Sequence, residues 1–174
     1  LVFNDARRFG MVYISLSNQL NSQPYLETLG AEPLEDEFDT NYLLKKLLSK
    51  KIAIKLALMD SKVVVGVGNI YAAESLFMAK INPLKLSNTL TKKEVCLLVS
   101  SVKQVLEKAI KAGGTTLRDF VGVDGKPGYF KQELNVYGRQ GLSCYICQHK
   151  IEKIKQSGRS TFFCPHCQID CQNE

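Results

Sequence analysis

The alternation of apolar and polar positions changes rhythm several times along the 174 residues. Residues 1–16 (LVFNDARRFGMVYISL) hold two β-rich runs around Asn4-Asp5-Ala6-Arg7-Arg8, which predicts a hairpin with the two arginines in its loop. Two strands cannot bury a face unaided, so partner strands are required. Residues 17–38 are polar, contain Pro24, Gly30 and Pro33, and read as a linker with one helical turn. Helical spacing begins at the capping residues Asp39-Thr40 and runs through Leu43, Leu44, Leu47 and Leu48. A second helical run covers about 51–59, and the glycine-bearing stretch 63–68 leads into a third at 69–79. The longest helix opens on a Thr91/Glu94 capping box. Val95, Leu98, Val99, Val102, Leu106, Ala109 and Ile110 form its stripe, and Gly113-Gly114 stops it. A short helical start and a loop fill 115–135, and 151–163 reads strand, turn (Gln156-Ser157-Gly158), strand.

Cysteine spacing turns that last hairpin into a metal module. Cys144, Cys147, Cys164 and Cys167 form two C-x-x-C pairs with sixteen residues between them, room for one hairpin between two thiolate knuckles. This predicts a zinc ribbon holding one structural Zn²⁺. A redox C-x-x-C wants a βαβ setting that the tail lacks, and disulfide scaffolds are usually smaller and rich in loops. Cys96 reads as a buried free thiol on a helix face, and Cys171 lies in the tail. Reduced cysteines with a metal point to an intracellular protein.

Net charge is +6 with a pI near 9.0. Residues 17–44 hold six acids and no Lys or Arg, so the remainder carries +12. From Lys126 to Cys167 seven basic residues face Glu133 and Glu152. A basic surface beside a zinc ribbon suits a polyanion, although a solvated basic face has the same composition. No apolar run approaches the roughly 20 residues needed to cross a bilayer. Catalytic groups are sparse: His149 and His166, the two histidines, both lie in the ribbon.

Several residues are candidates for a nucleic-acid grip, each with a plainer alternative. VGVGNIY at 65–71 places glycines before a helix, where N–H groups and the helix dipole attract a phosphate. Asn69 reads there as N-cap and phosphate ligand; ordinary capping would look the same. Tyr71 stands where a dinucleotide fingerprint needs its third glycine, and no Walker pattern occurs. Arg7-Arg8-Phe9 could enter a duplex, Phe9 as wedge, or Phe9 could point inward. Lys51 and Lys55, four apart, would share one helix face toward a phosphate strand or toward solvent. Arg159 follows the ribbon turn, and Tyr137 and Arg139 precede the first knuckle.

Taken together, ARRFG (6–10), LGAEPL (29–34), LMDSKVVVGVGNIYAAESLF (58–77), GGTTLRDFVGVDGKPGYF (113–130), ELNVYGRQG (133–141) and the ribbon with RSTFFC (159–164) resemble the formamidopyrimidine-DNA glycosylase family. The likeness spans essentially the whole chain. It implies a mainly α fold with small β elements: the last hairpin of an N-terminal β-sandwich (1–16), a linker (17–38), a helix–two-turns–helix DNA-binding domain (39–134) and a zinc finger (135–174). It implies base-excision repair: a bifunctional glycosylase/AP lyase that excises oxidised purines from double-stranded DNA and nicks the strand by β,δ-elimination. The family's N-terminal proline nucleophile, its neighbouring glutamate and a sandwich lysine are not in this sequence. The resemblance therefore implies the C-terminal portion, binding DNA without cleaving it.

Carried over by motif, Arg7 would fill the void of the flipped nucleotide, with Phe9 as wedge. Asn69, Lys51 and Tyr137 would hold phosphates, and Arg159 would clamp phosphate near the lesion and take part in elimination. Arg118 would lie in the segment covering the everted base. Such grips hold a kinked duplex against the cost of extrusion. Ala6 and Leu56 stand where the family often has proline. The resemblance further implies a cytoplasmic, nucleoid-associated monomer of bacterial type with no membrane partner. The alternatives are an endonuclease VIII-like enzyme for oxidised pyrimidines, a non-catalytic DNA-binding protein of the same modules, and a ribbon serving protein contacts alone.

Overall fold

The structure, a computed structural model, describes residues 12–16, 18–19, 23–114 and 134–169. The expected Arg7/Phe9 loop, Arg118 with its covering segment, and Cys171 lie outside the described residues. The elements are α1 (Pro24–Glu27), α2 (Thr40–Leu48), α3 (Ile54–Leu58), α4 (Asn69–Met78), a 3-10 turn (Ser87–Thr89), α5 (Lys92–Lys111), β1 (Glu152–Gln156) and β2 (Arg159–Phe163). Among the described residues the architecture is mainly helical, with one antiparallel hairpin. Residues 12–16 carry no regular secondary structure and leave Val12, Tyr13, Ile14 and Leu16 exposed.

Local chemistry fixes the helix ends as expected. Asp39 caps α2 by accepting from the Tyr42 N–H at 2.7 Å. Thr91 and Glu94 form the reciprocal capping box of α5, and the Gly114 N–H returns to the Ala109 carbonyl at 2.8 Å. The α5 stripe packs on α4 and α2 around Leu43, Leu47, Leu76, Leu98 and Val102. Ile110, expected in that stripe, is 64% exposed, because Val105 and Ala109 take the inward positions against Leu134. Cys96, expected buried, is exposed one step off the same stripe.

The polar stretch before α2 contributes to the core instead of merely linking. Phe38 is fully buried and Ala31 pairs with Val64 in an isolated parallel bridge. The Tyr42 hydroxyl accepts from the Ala31 N–H at 2.8 Å and donates to the Val63 carbonyl at 3.0 Å. These bonds pin the strand-like approach to the glycine loop. α3 begins at Ile54, later than expected, so Lys51 lies in the exposed segment before it and does not share a helix face with Lys55. In the hairpin Gln156 pairs with Arg159, so the turn is the two residues Ser157 (φ 45°) and Gly158 (φ 79°). Positive φ at both centres is the hairpin geometry that matches strand twist.

Candidate nucleic-acid interface and metal centre

The two knuckles bring four sulfurs together as their spacing predicts. The Sγ atoms of Cys144, Cys147, Cys164 and Cys167 all lie within 4.8 Å of one another. Cys144–Cys167 measures 3.9 Å and Cys147–Cys164 3.4 Å. A tetrahedral ion with Zn–S bonds of about 2.3 Å sets its sulfurs about 3.8 Å apart, so the cage fits one zinc ion. Burial works against ionising Cys144, yet N–H groups of Cys147 and Ile146 draw its thiol down to about 7. Burial, foremost, pushes Cys164 and Cys167 upward. Without a cation, four clustered sulfurs cannot all shed protons; a dication removes that conflict.

The finger is bolted to the helices. Ala73 and Phe77 of α4 share an apolar cluster with Val136, Cys144, Ile151, Phe162 and Cys164. Glu74, 2% exposed, turns its carboxylate to the segment entering the finger. Oε2 accepts from the Asn135 N–H (2.9 Å) and Nδ2 (3.0 Å), and Oε1 from the N–H groups of Val136 and Tyr137 (both 2.9 Å). Gln168, fully buried, accepts from the Cys164 N–H and donates to the Ile81 carbonyl, each at 2.9 Å.

This docking sets the hairpin turn against the tip of α4. Gly68 occupies the N-cap position and Asn69 is the first helical residue, so Asn69 is not the cap. Its side chain is free for tertiary bonds: Nδ2 donates to the Ser160 carbonyl at 3.0 Å and to the Tyr137 hydroxyl at 3.4 Å. Lys55, fully buried, donates to Asn69 Oδ1 (2.5 Å), the Ser160 carbonyl (3.2 Å) and Thr161 Oγ1 (2.7 Å). Thr161 in turn donates to Gln156 Oε1 at 2.7 Å, and Gln156 reaches the Pro83 carbonyl at 3.3 Å. Tyr137 packs edge-on to Phe162, ring centroids 5.0 Å apart.

Electrostatics at this junction favour an anion. Desolvation, then the Arg159 guanidinium nearby, lowers the Lys55 ammonium to about 8. Arg159 is exposed at the start of β2, and neither cation pairs with a carboxylate among the described residues. A Cβ on Gly68 would meet nothing within 4 Å, and its φ of −87° suits any residue. Nothing in the chain's own packing requires glycine there.

The structure thus joins Asn69, Lys55, Tyr137 and the Arg159 turn. No hydrogen bond or ion pair among the described residues ties Lys51 to this group. Sequence reasoning missed Glu74, Gln156, Thr161 and Gln168. Of these only Glu74 carried a visible signal, as the one charged residue in the apolar run 69–79.

Two families match the chain: residues 29–121 match the formamidopyrimidine-DNA glycosylase H2TH domain, and 141–169 the zinc finger found in FPG and IleRS. The formamidopyrimidine-DNA glycosylase of Rickettsia bellii is 54% identical over 168 residues, covering 97% of this chain and 61% of that protein. The crystal structure of MutM (Fpg) from Thermus thermophilus superposes with a TM-score of 0.86 at 38% identity, over 94% of this chain and 62% of that one. A complex of Lactococcus lactis Fpg with DNA containing an abasic site gives 0.81 at 38% identity, over 88% and 56%. The chain therefore spans about three fifths of the length of the relatives it matches.

Proposed function

This chain belongs to the formamidopyrimidine-DNA glycosylase family, and we propose that it forms the DNA-gripping and zinc-finger portion of a base-excision repair enzyme. The enzyme is a glycosylase/AP lyase that removes oxidised purines from duplex DNA and nicks the strand by β,δ-elimination. One observation carries the reading: the Arg159 turn, the buried Lys55 and the Asn69 amide converge at a glycine-led helix tip without an acidic partner among the described residues. A phosphate diester supplies the missing negative charge, and N–H groups of the first turn of α4 can meet its oxygens. Gly68 leaves the space through which a backbone phosphate approaches.

In this reading Asn69 and Tyr137 hold one strand and Arg159 clamps it from the finger. Arg159 also neutralises phosphate charge beside the sugar that undergoes elimination. Lys55 acts from beneath, fixing Asn69 and the Ser160 carbonyl. Lys51 adds a more distant phosphate contact. Arg7 and Phe9, as void-filler and wedge, and Arg118, in the cover of the everted base, complete the grip by family likeness. The protein works as a cytoplasmic, nucleoid-associated monomer. Among the described residues no helix is long and apolar enough to cross a membrane.

The test is binding of a fluorescent duplex bearing an abasic-site analogue, followed by anisotropy from about 50 to 200 mM salt. Affinity should fall linearly in log–log form, and Arg159→Ala should reduce the slope by about 1. Affinity that ignores salt would remove the phosphate clamp from the account.

A further inference from the structure

The four sulfurs are unequally wrapped. Cys144 and Cys164 are buried, whereas Cys147 and Cys167 are partly exposed, so the cage opens along one edge. Both histidines of the chain stand at that edge. His149 follows Cys147 by two residues, and His166 sits between Cys164 and Cys167. Both are exposed, and their rings stack with centroids 4.2 Å apart and planes 8° apart. One ring nitrogen from each lies within 4.8 Å of the other and of Cys147 Sγ. His149 Nδ1 is 3.3 Å from the Cys147 carbonyl, which orients that ring over the knuckle.

Neither imidazole takes part in the hydrogen bonds that join the finger to the helices through Glu74 and Gln168. The donor set, two imidazoles beside a thiolate, suits a borderline divalent ion of the zinc class. An ion lies in the plane of the ring that binds it, so two parallel rings cannot share one as they stand. One ring must turn about its terminal torsion, which is a broad and soft coordinate for an exposed histidine. The sulfur offers a further hint: Cys147 belongs both to the cage and to this second group.

We propose that His149, His166 and the shared Cys147 thiolate form a second, transient site for a divalent zinc-class ion, through which ions exchange with the four-cysteine cage. The imidazole nitrogens of His149 and His166 would replace two waters of an incoming aqua ion, and the Cys147 thiolate would hold it beside the cage. The bonds from Cys147, Cys144, Cys164 and Cys167 to the resident ion would then break in turn, water filling each position that it loses. Each freed thiolate would bond to the newcomer, and the two imidazoles and the remaining waters would leave it. One dication enters and one departs; no electron moves, and the thiolates stay deprotonated.

Isotope exchange tests this on the zinc-loaded protein. The protein is mixed with isotopically enriched Zn²⁺, and the isotope it retains is followed by mass spectrometry. The exchange rate should rise with external Zn²⁺ and then saturate. In the double variant His149→Ala/His166→Ala it should fall at least about tenfold while one zinc per chain is kept. A rate independent of external Zn²⁺, or equal in the double variant, would overturn the proposal. So would a double variant that loses its zinc at equilibrium, since the imidazoles would then be supports of the cage. The single variants His149→Gln and His166→Gln should each slow exchange, because the site needs both nitrogens.

Discussion

Replacing Glu74 by Gln alters few atoms and should uncouple the finger from the helices. The buried carboxylate accepts four N–H bonds from Asn135, Val136 and Tyr137, two on each oxygen. An amide has one acceptor oxygen, so its NH₂ must face one of the two pairs of donors. If it replaces Oε1, the N–H groups of Val136 and Tyr137 both lose their acceptor. If it replaces Oε2, the backbone N–H and Nδ2 of Asn135 lose theirs. The second arrangement costs less, because Asn135 is half-buried whereas Val136 is buried: about 1–3 kcal/mol for the partly buried backbone N–H, with the surviving bonds weakened by loss of charge assistance. Together the loss should be about 2–4 kcal/mol, and it falls on the joint between α4 and the finger. Urea denaturation followed by circular dichroism gives the stability difference. Anisotropy with the abasic-analogue duplex gives the functional consequence. A loss under about 1 kcal/mol with unchanged DNA affinity would show that the four bonds do not hold the joint.

Three further outcomes follow from the same contacts. Because Lys55 titrates near 8 in the fold against 10.5 when exposed, the unfolded chain binds more protons between these values, and this group makes stability rise with pH across that window. The rise, roughly 3 kcal/mol in all, should vanish in Lys55→Met when denaturation is compared from about pH 7 to about pH 10.5. Chelating the zinc should abolish hydrogen-exchange protection across 141–169 while α5 amides keep theirs, and DNA affinity should fall with it. Gln168→Glu keeps an acceptor for the Cys164 N–H but loses the donor to the Ile81 carbonyl. It should retain one zinc per chain and lower stability by about 1–3 kcal/mol in denaturant titration.

The parts of this molecule legible in sequence are those whose chemistry is local. Two C-x-x-C pairs around a hairpin-length insert dictate a sulfur cage, and Thr91/Glu94 announce a helix start, because every partner lies within a few residues. Lys55 is legible only as a basic residue, since the atoms that bury it, the Ser160 carbonyl oxygen and Thr161 Oγ1, lie 105 and 106 residues away. Asn69 does stand at a helix tip, but Gly68 takes the cap, and the amide turns to the finger. Ile110 and Cys96 depart from expectation for a common reason. Helical periodicity gives the width of a stripe but not which neighbour arrives to cover its edges. The family likeness supplies the architecture that these local rules cannot.

The central claim is that the α4 tip and the finger turn act on one phosphate strand as a unit. A double-mutant cycle on DNA affinity, with Asn69→Ala, Arg159→Ala and the pair, tests it most directly. Two groups on a shared strand and joined through Ser160 should couple by about 0.5–3 kcal/mol. Strictly additive losses would mean that each touches DNA alone, and the clamp would not exist.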